Sequence, residues 1–240
     1  TEIYTLSLHD ALPIFFDGVH LGHSAILAAN VARAQELGAR PTVVTFKSHP
    51  KEVLLGRAPR TLTTLEHRLD LFRRAGIEHT LVLCFDDDLR CTPAVEFAND
   101  LLLDQLGARA LVLGFDSKFG RDQAGTPELL RQMGFPVEVV QKVVIDQRAV
   151  SSTAIREAVE LGDLEGARTM LGRPVSVLGE VVRGSSRGRT LGFPTANLDL
   201  HHELHPPAGV YAGHAHLLAS DADHTVEQTH PAVCNVGTRP

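Results

Sequence analysis

Two histidines spaced three residues apart, His20 and His23, have the side chains and the setting needed to handle a phosphate. Gly18 and Gly22 lie beside them, and glycine lets the backbone approach a ligand closely. Side chains three apart share one face of a helix, so both imidazoles can converge on one ligand. A helix that begins here also offers free N–H groups and the positive end of its dipole. The pattern therefore suits stabilisation of the charge that develops during nucleotidyl transfer, a step that depends on positioning and electrostatics.

The histidine pair alone has simpler interpretations. The chain contains 13 histidines, so two of them at this spacing can be ordinary surface residues. A zinc site is a second alternative, but no third ligand follows at a spacing typical of zinc sites.

A second group suited to phosphate is formed by Ser151, Ser152, Thr153 and Arg156. Serines at a helix start can cap the helix, or can bind a phosphate together with the free N–H groups. A guanidinium one turn further on can grip phosphate oxygens as pyrophosphate leaves. Taken alone, the Ser-Ser-Thr run predicts only a helix cap, and its combination with the histidine pair is what favours phosphate binding.

A third group, between residues 179 and 198, is rich in glycine and ends in Pro-Thr-Ala-Asn-Leu. The N–H groups of a loop around Gly184, Gly188 and Arg189 can wrap phosphates. The simpler interpretation is a glycine-rich hairpin with a proline turn. Several histidines nearby also suggest a metal cluster, but the run HHELH lacks the H-E-x-x-H spacing.

The elements that must position these groups alternate between strand and helix. Short β-branched runs predict buried strands, and apolar residues at helical spacing, closed by glycines, predict the helices between them. The strands are predicted at 41–46, 80–85, 110–113 and 137–140, and the helices at 23–38, 65–75, 93–106, 127–133, 152–161 and 163–171. This alternation indicates βαβ units, a parallel sheet covered by helices, and ligand sites at the carboxyl ends of the strands.

The character of the sequence changes after Pro174. Helical periodicity disappears, and glycine and proline separate short strands predicted at 175–182, 210–218 and 233–236. This pattern indicates a small antiparallel barrel or sandwich.

Composition argues against several classes of protein. A formal net charge of −6 is unfavourable for a broad nucleic-acid-binding surface. No apolar run approaches the roughly 18–20 residues that cross a bilayer, and no signal peptide is recognisable. Cys84, Cys91 and Cys234 form neither a disulfide framework nor a zinc knuckle, which favours reduced thiols in a cytoplasmic protein. The oligomeric state is not indicated.

Residues 1–14, TEIYTLSLHDALPI, resemble the frame-translation of a common short-read sequencing adapter. We therefore expect the native sequence to begin near Phe15, and we exclude the segment from the fold prediction. We also expect that this segment has replaced the buried strand that should lead into residue 16. A genuine N-terminal strand is the alternative, because residues 3–8 alternate loosely.

The octet FDGVHLGH at 16–23 resembles the H-x-G-H signature of the nucleotidylyltransferase superfamily. In full it resembles the FMN adenylyltransferase module of bacterial bifunctional riboflavin kinase/FAD synthetases. The runs TFKSHP at 45–50, GFDSKFG at 114–120 and VSSTAIR at 150–156 are similar to later motifs of that module. The resemblance implies catalytic roles for His20, His23 and Arg156. The residues that it assigns to the nucleotide are Asp17, Gly18, Gly22, Asp116, Ser151, Ser152 and Thr153.

The same resemblance places the flavin near Phe46, His49 and Pro50. Four residues depart from the family pattern in these runs, namely Lys47, Ser48, Ser117 and Lys118. The departures concern contacts with the flavin rather than the fold.

The segment 179–198 resembles the riboflavin kinase motif, and PAGVYAG at 207–213 and NVGTRP at 235–240 resemble its continuation. The resemblance assigns the nucleotide to Gly184, Gly188 and Arg189, and Mg²⁺ to Thr195 and Asn197. The family then continues into a strand whose glutamate acts as base on riboflavin. Because the chain stops at Pro240, we expect the kinase half to lack that glutamate and to be incompetent as it stands.

These observations together predict an α/β protein. A Rossmann-like nucleotidylyltransferase domain with a helical linker is expected over 15–172, and a truncated small β-barrel riboflavin kinase domain over 173–240. The implied function is FAD biosynthesis, in which AMP passes from ATP to FMN and, in the second domain, phosphate passes from ATP to riboflavin. Mg²⁺ is the implied cofactor, the partners are small-molecule substrates, and neither nucleic acid nor membrane is expected. The alternatives are a non-catalytic flavin- or nucleotide-binding fragment and a nucleotidyltransferase with another acceptor.

Overall fold

The computed structural model describes residues 11–12, 15–183, 195–200, 203–218 and 226–237. Its chain divides into two compact units. The first unit comprises Thr1–Pro59 and Leu71–Val150, and the second comprises Arg60–Asp70 and Ser151–Pro240.

Pairs of parallel strands form the framework of the first unit. Its described strands are β1 (Ala11–Leu12), β2 (Thr42–Phe46), β3 (His79–Leu83), β4 (Leu111–Gly114), β5 (Lys118–Phe119), β6 (Val137–Val140), β7 (Val144–Ile145) and β8 (Arg148–Ala149). β2 pairs with β3 and β4 pairs with β6, both in parallel, and the short β1 runs parallel to β5. β7 and β8 form an antiparallel hairpin. The β-branched residues of β2 and β4 suit strands that are covered on both faces.

Helices connect these strands. The helices are α1 (Leu21–Leu37), α2 (Lys51–Leu55), α3 (Leu65–Arg74), α4 (Asp87–Cys91), α5 (Ala94–Glu96) and α6 (Pro127–Gln132), and α3 has residues in both units. α1 ends at Gly38, whose φ of 56° lets its N–H reach the carbonyls of the last turn. α6 begins at Thr126, whose hydroxyl accepts a hydrogen bond from the Leu129 N–H at 3.1 Å. These caps set where the helices begin and end.

Buried aromatic and aliphatic side chains fill the core of the first unit beside β4 and β6. One cluster comprises Ala94, Phe97, Ala98, Leu113, Phe119, Leu130 and Phe135. Gly120 touches this cluster closely, because a Cβ there would lie 2.5 Å from the Cα of Ala94. A cavity of about 110 Å³ lies between β2, β4 and the inner face of α1, and Phe16, Ile26, Val43 and Leu113 are among the residues that line it.

The second unit combines two helices with antiparallel strands. α7 (Ser152–Leu161) and α8 (Leu164–Leu171) pack together and bury residues such as Ile155 and Ala167. β9 (Glu180–Val182) pairs with β10 (Asn197–Asp199), and β11 (Gly209–Leu218) pairs with β12 (Val226–Val236), both antiparallel.

The structure confirms a mixed α/β fold with parallel strands. Among the described residues the strands form two-stranded sheets, and none of these sheets closes into a barrel. No helix in the described ranges combines the length and the apolar character needed to span a bilayer. Ala11–Leu12 are the described part of the segment interpreted as foreign; the rest of residues 1–14 lies outside the described residues.

Three of the predicted elements differ from the structure in type or bounds. The helix expected over 93–106 continues beyond α5 as a π-helix at Phe97–Gln105. The strand expected over 175–182 covers only Glu180–Val182, and just before it the backbone N–H of Leu178 donates to the Glu203 side chain instead of a neighbouring strand. β12 begins at Val226 rather than near 233, and its polar residues and internal proline concealed the strand pattern.

Candidate active site

The loop that leads into α1 has a constrained backbone. Asp17–Val19 form a single 3-10 turn, and Phe16, Gly18 and Val19 have φ values of 54°, 75° and 39°. A β-branched residue such as Val19 rarely adopts positive φ, and such strain persists only where the surroundings impose it. Phe16, Asp17 and Val19 are all buried, which supplies that constraint. The turn places His20 at the N-cap of α1.

His20 caps α1 with its own ring. Its Nδ1 accepts a hydrogen bond from the backbone N–H of His23 at 3.3 Å. Because Nδ1 is the acceptor, a neutral His20 ring carries its proton on Nε2. The cap therefore selects one tautomer, and it makes Nε2–H the hydrogen-bond donor of this ring.

The rings of His20 and His23 are stacked. Their centroids lie 3.7 Å apart and their planes differ by 14°. Phe16 packs against His23 with the ring centroids 5.1 Å apart, and Phe72 meets the edge of Phe16 at 5.2 Å. Both histidines are at least nine-tenths buried. The pair is thus held rigidly at the start of the helix, where the dipole favours an anion.

Gly22 fits tightly beneath this pair. A Cβ at residue 22 would lie 3.1 Å from Cε1 and 3.2 Å from Nδ1 of His20. Because Gly22 does not have positive φ, glycine is favoured here by the close contact with the imidazole and not by the backbone conformation.

The end of β2 approaches the same loop. The Thr45 hydroxyl donates to the Phe15 carbonyl at 3.4 Å, and the Phe15 ring lies 4.8 Å from the His49 ring. His49 Nδ1 accepts the Lys51 N–H at 3.1 Å, so a neutral His49 also carries its proton on Nε2. Of the residues predicted to lie near flavin, His49 and Pro50 are half-buried. Phe46 is 1% exposed and packs against Phe85 in the core.

The end of β4 also lies beside α1. A Cβ on Gly114 would lie 3.4 Å from Cδ1 of Ile26, so the strand and the helix are in close contact. The turn after β4 is closed by a hydrogen bond from the Ser117 N–H to the Gly114 carbonyl at 3.2 Å. Asp116, predicted to contact the nucleotide, is exposed in this turn, whereas the Ser117 side chain is buried.

The Ser-Ser-Thr group belongs to the second unit. The Ser151 hydroxyl accepts the Ala154 N–H at 3.2 Å and so caps α7, which satisfies the simpler of the two interpretations. Ser152 is half-buried and Thr153 is exposed. The guanidinium Nε of Arg156 donates to the Arg60 carbonyl at 3.0 Å. Phosphate binding by these residues stays a prediction.

The two residues predicted to hold Mg²⁺ lie at the N-terminal end of β10. Asn197 is its first residue, half-buried and paired with Val182, and Thr195 is exposed just before it. Gly184, Gly188 and Arg189 lie outside the described residues.

In the first unit, the histidine pair, Asp17, Gly18 and Gly22 lie together, with the end of β2 beside the loop and the end of β4 beside α1. The packing roles of Phe15, Phe16 and Thr45 were not predicted from the sequence. The doubled phenylalanine directly before the motif was the available signal for the first two.

Comparison with known families matches this chain in two consecutive parts. A family model described as FAD synthetase matches residues 14–154, and one described as riboflavin kinase matches residues 171–240. The first match covers the loop, the histidine pair and the ends of β2 and β4.

Curated relatives match nearly the whole chain. Bifunctional riboflavin kinase/FMN adenylyltransferases from Pseudomonas fluorescens and Escherichia coli K12 are 40% and 34% identical, over 94% of this chain and 71% of each relative. A crystal structure described as a macrolide-efflux protein from Streptococcus pneumoniae superposes with a TM-score of 0.78 at 31% identity, over 95% of this chain and 73% of that one. The two family matches and these relatives agree in order and extent, and the chain therefore belongs to the bifunctional riboflavin kinase/FMN adenylyltransferase family.

Proposed function

We propose that the first unit transfers AMP from ATP to FMN and that His20 and His23 stabilise the phosphate being transferred. The observation that carries this proposal is the stacked histidine pair at the N-terminus of α1. The pair combines a fixed Nε2–H donor, burial, and the positive end of a helix dipole in one place.

In the proposed reaction an oxygen of the FMN phosphate attacks the α-phosphorus of ATP. A new P–O bond forms, the bond from the α-phosphorus to the bridging oxygen of pyrophosphate breaks, and pyrophosphate leaves with the bonding electrons. The histidines donate hydrogen bonds to the phosphate oxygens and form no covalent intermediate. Preorganised donors of this kind each contribute about 10²–10³-fold in rate.

The remaining site residues keep the roles predicted for them. His49 is the best-placed candidate for flavin, because it lies against Phe15 beside the loop and has its Nε2–H fixed. Phe46 would support that region through packing. The residues proposed to contact the nucleotide are Asp17, Gly18, Gly22, Asp116, Ser151, Ser152, Thr153 and Arg156.

We propose that residues 173–240 form part of a small β-barrel that phosphorylates riboflavin from ATP. Thr195 and Asn197 would hold Mg²⁺, which neutralises phosphate charge when it is bound. The donor chemistry fits, since a hydroxyl and an amide carbonyl are neutral hard oxygen ligands. Two protein ligands leave the rest of the coordination shell to ATP phosphates and water, as Mg²⁺ commonly requires. The substrates and the unpaired cysteine pattern are in keeping with a cytoplasmic location.

Formation of FAD from FMN and ATP, with release of pyrophosphate, tests the proposal. His20→Ala and His23→Ala should each lower kcat by about 10²-fold or more. His216→Ala replaces an exposed histidine on β11 and should leave this reaction unchanged. Binding of FMN and ATP without pyrophosphate release would identify the chain as a binding module and refute the assignment.

A further inference from the structure

A buried polar cluster in the second unit has no role in the chemistry above. Its centre is Glu203, whose side chain is fully buried. Oε1 of Glu203 accepts the Thr64 N–H at 2.8 Å and lies 2.8 Å from Nδ1 of His67. Oε2 accepts the Leu178 N–H at 2.9 Å. Three donors thus converge on one carboxylate, as a buried charge requires.

The direction of these hydrogen bonds follows from the carboxylate. An ionised Glu203 can only accept, so His67 donates from Nδ1. Nε2 of His67 then accepts from the hydroxyl of Ser176, 3.3 Å away. These side chains form a hydrogen-bond relay, a chain that runs from exposed Ser176 through buried His67 to Glu203.

The cluster lies at the base of the β9–β10 hairpin. Leu178 comes just before β9 and Glu203 comes shortly after β10, so the carboxylate ties both ends of the hairpin together. The Leu204 N–H donates to the Thr61 carbonyl at 2.7 Å, which anchors this base to the segment that precedes α3. Gly179 packs directly on the Asp199 carbonyl, leaving no room for a side chain between the two ends.

The apolar side chains of the hairpin are largely exposed. Val181, Val182 and Leu198 are 65%, 40% and 47% exposed. A two-stranded hairpin without a packed face is marginally stable by itself. The bonds of Glu203 at its base therefore contribute to fixing where the hairpin lies.

We propose that Glu203 and His67 are positioning residues for riboflavin phosphorylation: by clasping the base of the β9–β10 hairpin, they fix Thr195 and Asn197 for the magnesium nucleotide. This inference rests on the kinase function proposed for the second unit. The two residues act through the hairpin and touch no substrate.

The central variant is Glu203→Gln, with Glu165→Gln as its control. Glutamine retains one acceptor oxygen but turns an N–H₂ group toward the remaining N–H donors. Glu165 is an exposed carboxylate on α8 of the same unit. Hydrogen exchange of residues 178–183 and 195–200 should quicken about tenfold in Glu203→Gln, while α7 keeps its protection. The KM for ATP in riboflavin phosphorylation should rise about fivefold or more with a smaller change in kcat, and FAD formation from FMN should not change.

Other variants separate positioning from general stability. His67→Phe removes the relay but leaves both backbone bonds to Glu203, so it should show a smaller rise in hairpin exchange. Ser176→Ala, at the exposed end of the relay, should change each quantity less than twofold. Two results for Glu203→Gln would overturn the proposal. One is unchanged amide hydrogen exchange in the hairpin, and the other is an equal loss of amide protection in the hairpin and in α7. Specific labelling of Ser176 by a fluorophosphonate would also overturn it, because the relay would then activate a nucleophile. If the unsubstituted chain does not phosphorylate riboflavin, hydrogen exchange alone tests the proposal, and unchanged exchange of the hairpin in Glu203→Gln would still overturn it.

Discussion

Replacement of Gly22 by alanine separates the position of His20 from the stability of α1. Gly22 lies in the first turn of α1, and a Cβ there would lie 3.1 Å from Cε1 and 3.2 Å from Nδ1 of His20. Such contacts are too short for the atoms to remain where they are, so the imidazole must move by a few tenths of an ångström.

Two effects on stability oppose each other in this variant. Alanine is more favourable than glycine within a helix by up to about 1 kcal/mol. Movement of the ring weakens a cap bond that is already 3.3 Å long, and the loss of an N-cap costs about 0.5–2 kcal/mol. The free energy of unfolding should therefore change by no more than about 1 kcal/mol. Displacement of a reacting group by about 1 Å can cost about 10²-fold in rate, so this smaller movement should lower kcat for FAD formation about tenfold.

The assay measures FAD formed from FMN and ATP, alongside urea unfolding of the same preparation. Gly213→Ala is the matched control, because no atom lies within 4 Å of the Cβ that it adds. An unchanged kcat in Gly22→Ala would refute the role of the His20 position. A loss of activity that simply follows a loss of folded protein would refute it as well.

His20→Asn should keep α1 capped, since asparagine is an excellent N-cap, yet lower FAD formation about 10²-fold by removing the Nε2 donor. A fall of less than fivefold would contradict this role. Ser151→Asp should preserve the cap on α7 but raise the KM for ATP in FAD formation about fivefold or more, because it adds negative charge near the proposed phosphate site. An unchanged KM would show that Ser151 acts only as a helix cap. Gly120→Ala should lower the free energy of unfolding by at least about 2 kcal/mol in urea titrations, since φ is 70° and the Cβ would collide with Ala94. Unchanged stability would argue against that backbone geometry.

Local patterns were sufficient to predict most regular elements of the first unit. α1, β2, β4 and β6 each have a run of suitable residues with a clear stop, and their observed bounds lie within about two residues of the prediction. The two-residue strands β5, β7 and β8 were missed, because so short a run contains no periodicity to detect.

Long-range contacts account for the larger errors. The strand predicted to begin at 175 begins only at Glu180, and the backbone N–H of Leu178 donates to Glu203, a residue distant in sequence. Glu203 itself lies in the run HHELH, which the sequence suggested only as a weak metal motif. In the structure its carboxylate is fully occupied by N–H donors and a histidine.

The residues of the candidate site were predicted from the sequence, but their hydrogen bonds and tautomers were not. The sequence identified His20 and His23 and their spacing. It could not show that His20 caps its own helix, because that bond depends on the ring rotamer and on the positive φ of Val19. The tautomer, and hence the donor atom, follows only from that geometry.

The cavity between β2, β4 and α1 has a consequence for the volume of the protein. This space is partly open and lined mostly by apolar side chains, and hydrostatic pressure favours entry of water into such poorly filled space because the total volume then falls. Pressure should therefore loosen the contact of α1 with these strands first. Heat and urea should not act selectively on this contact. Because the histidine pair sits at the start of α1, compression is expected to weaken adenylyl transfer before the chain unfolds as a whole.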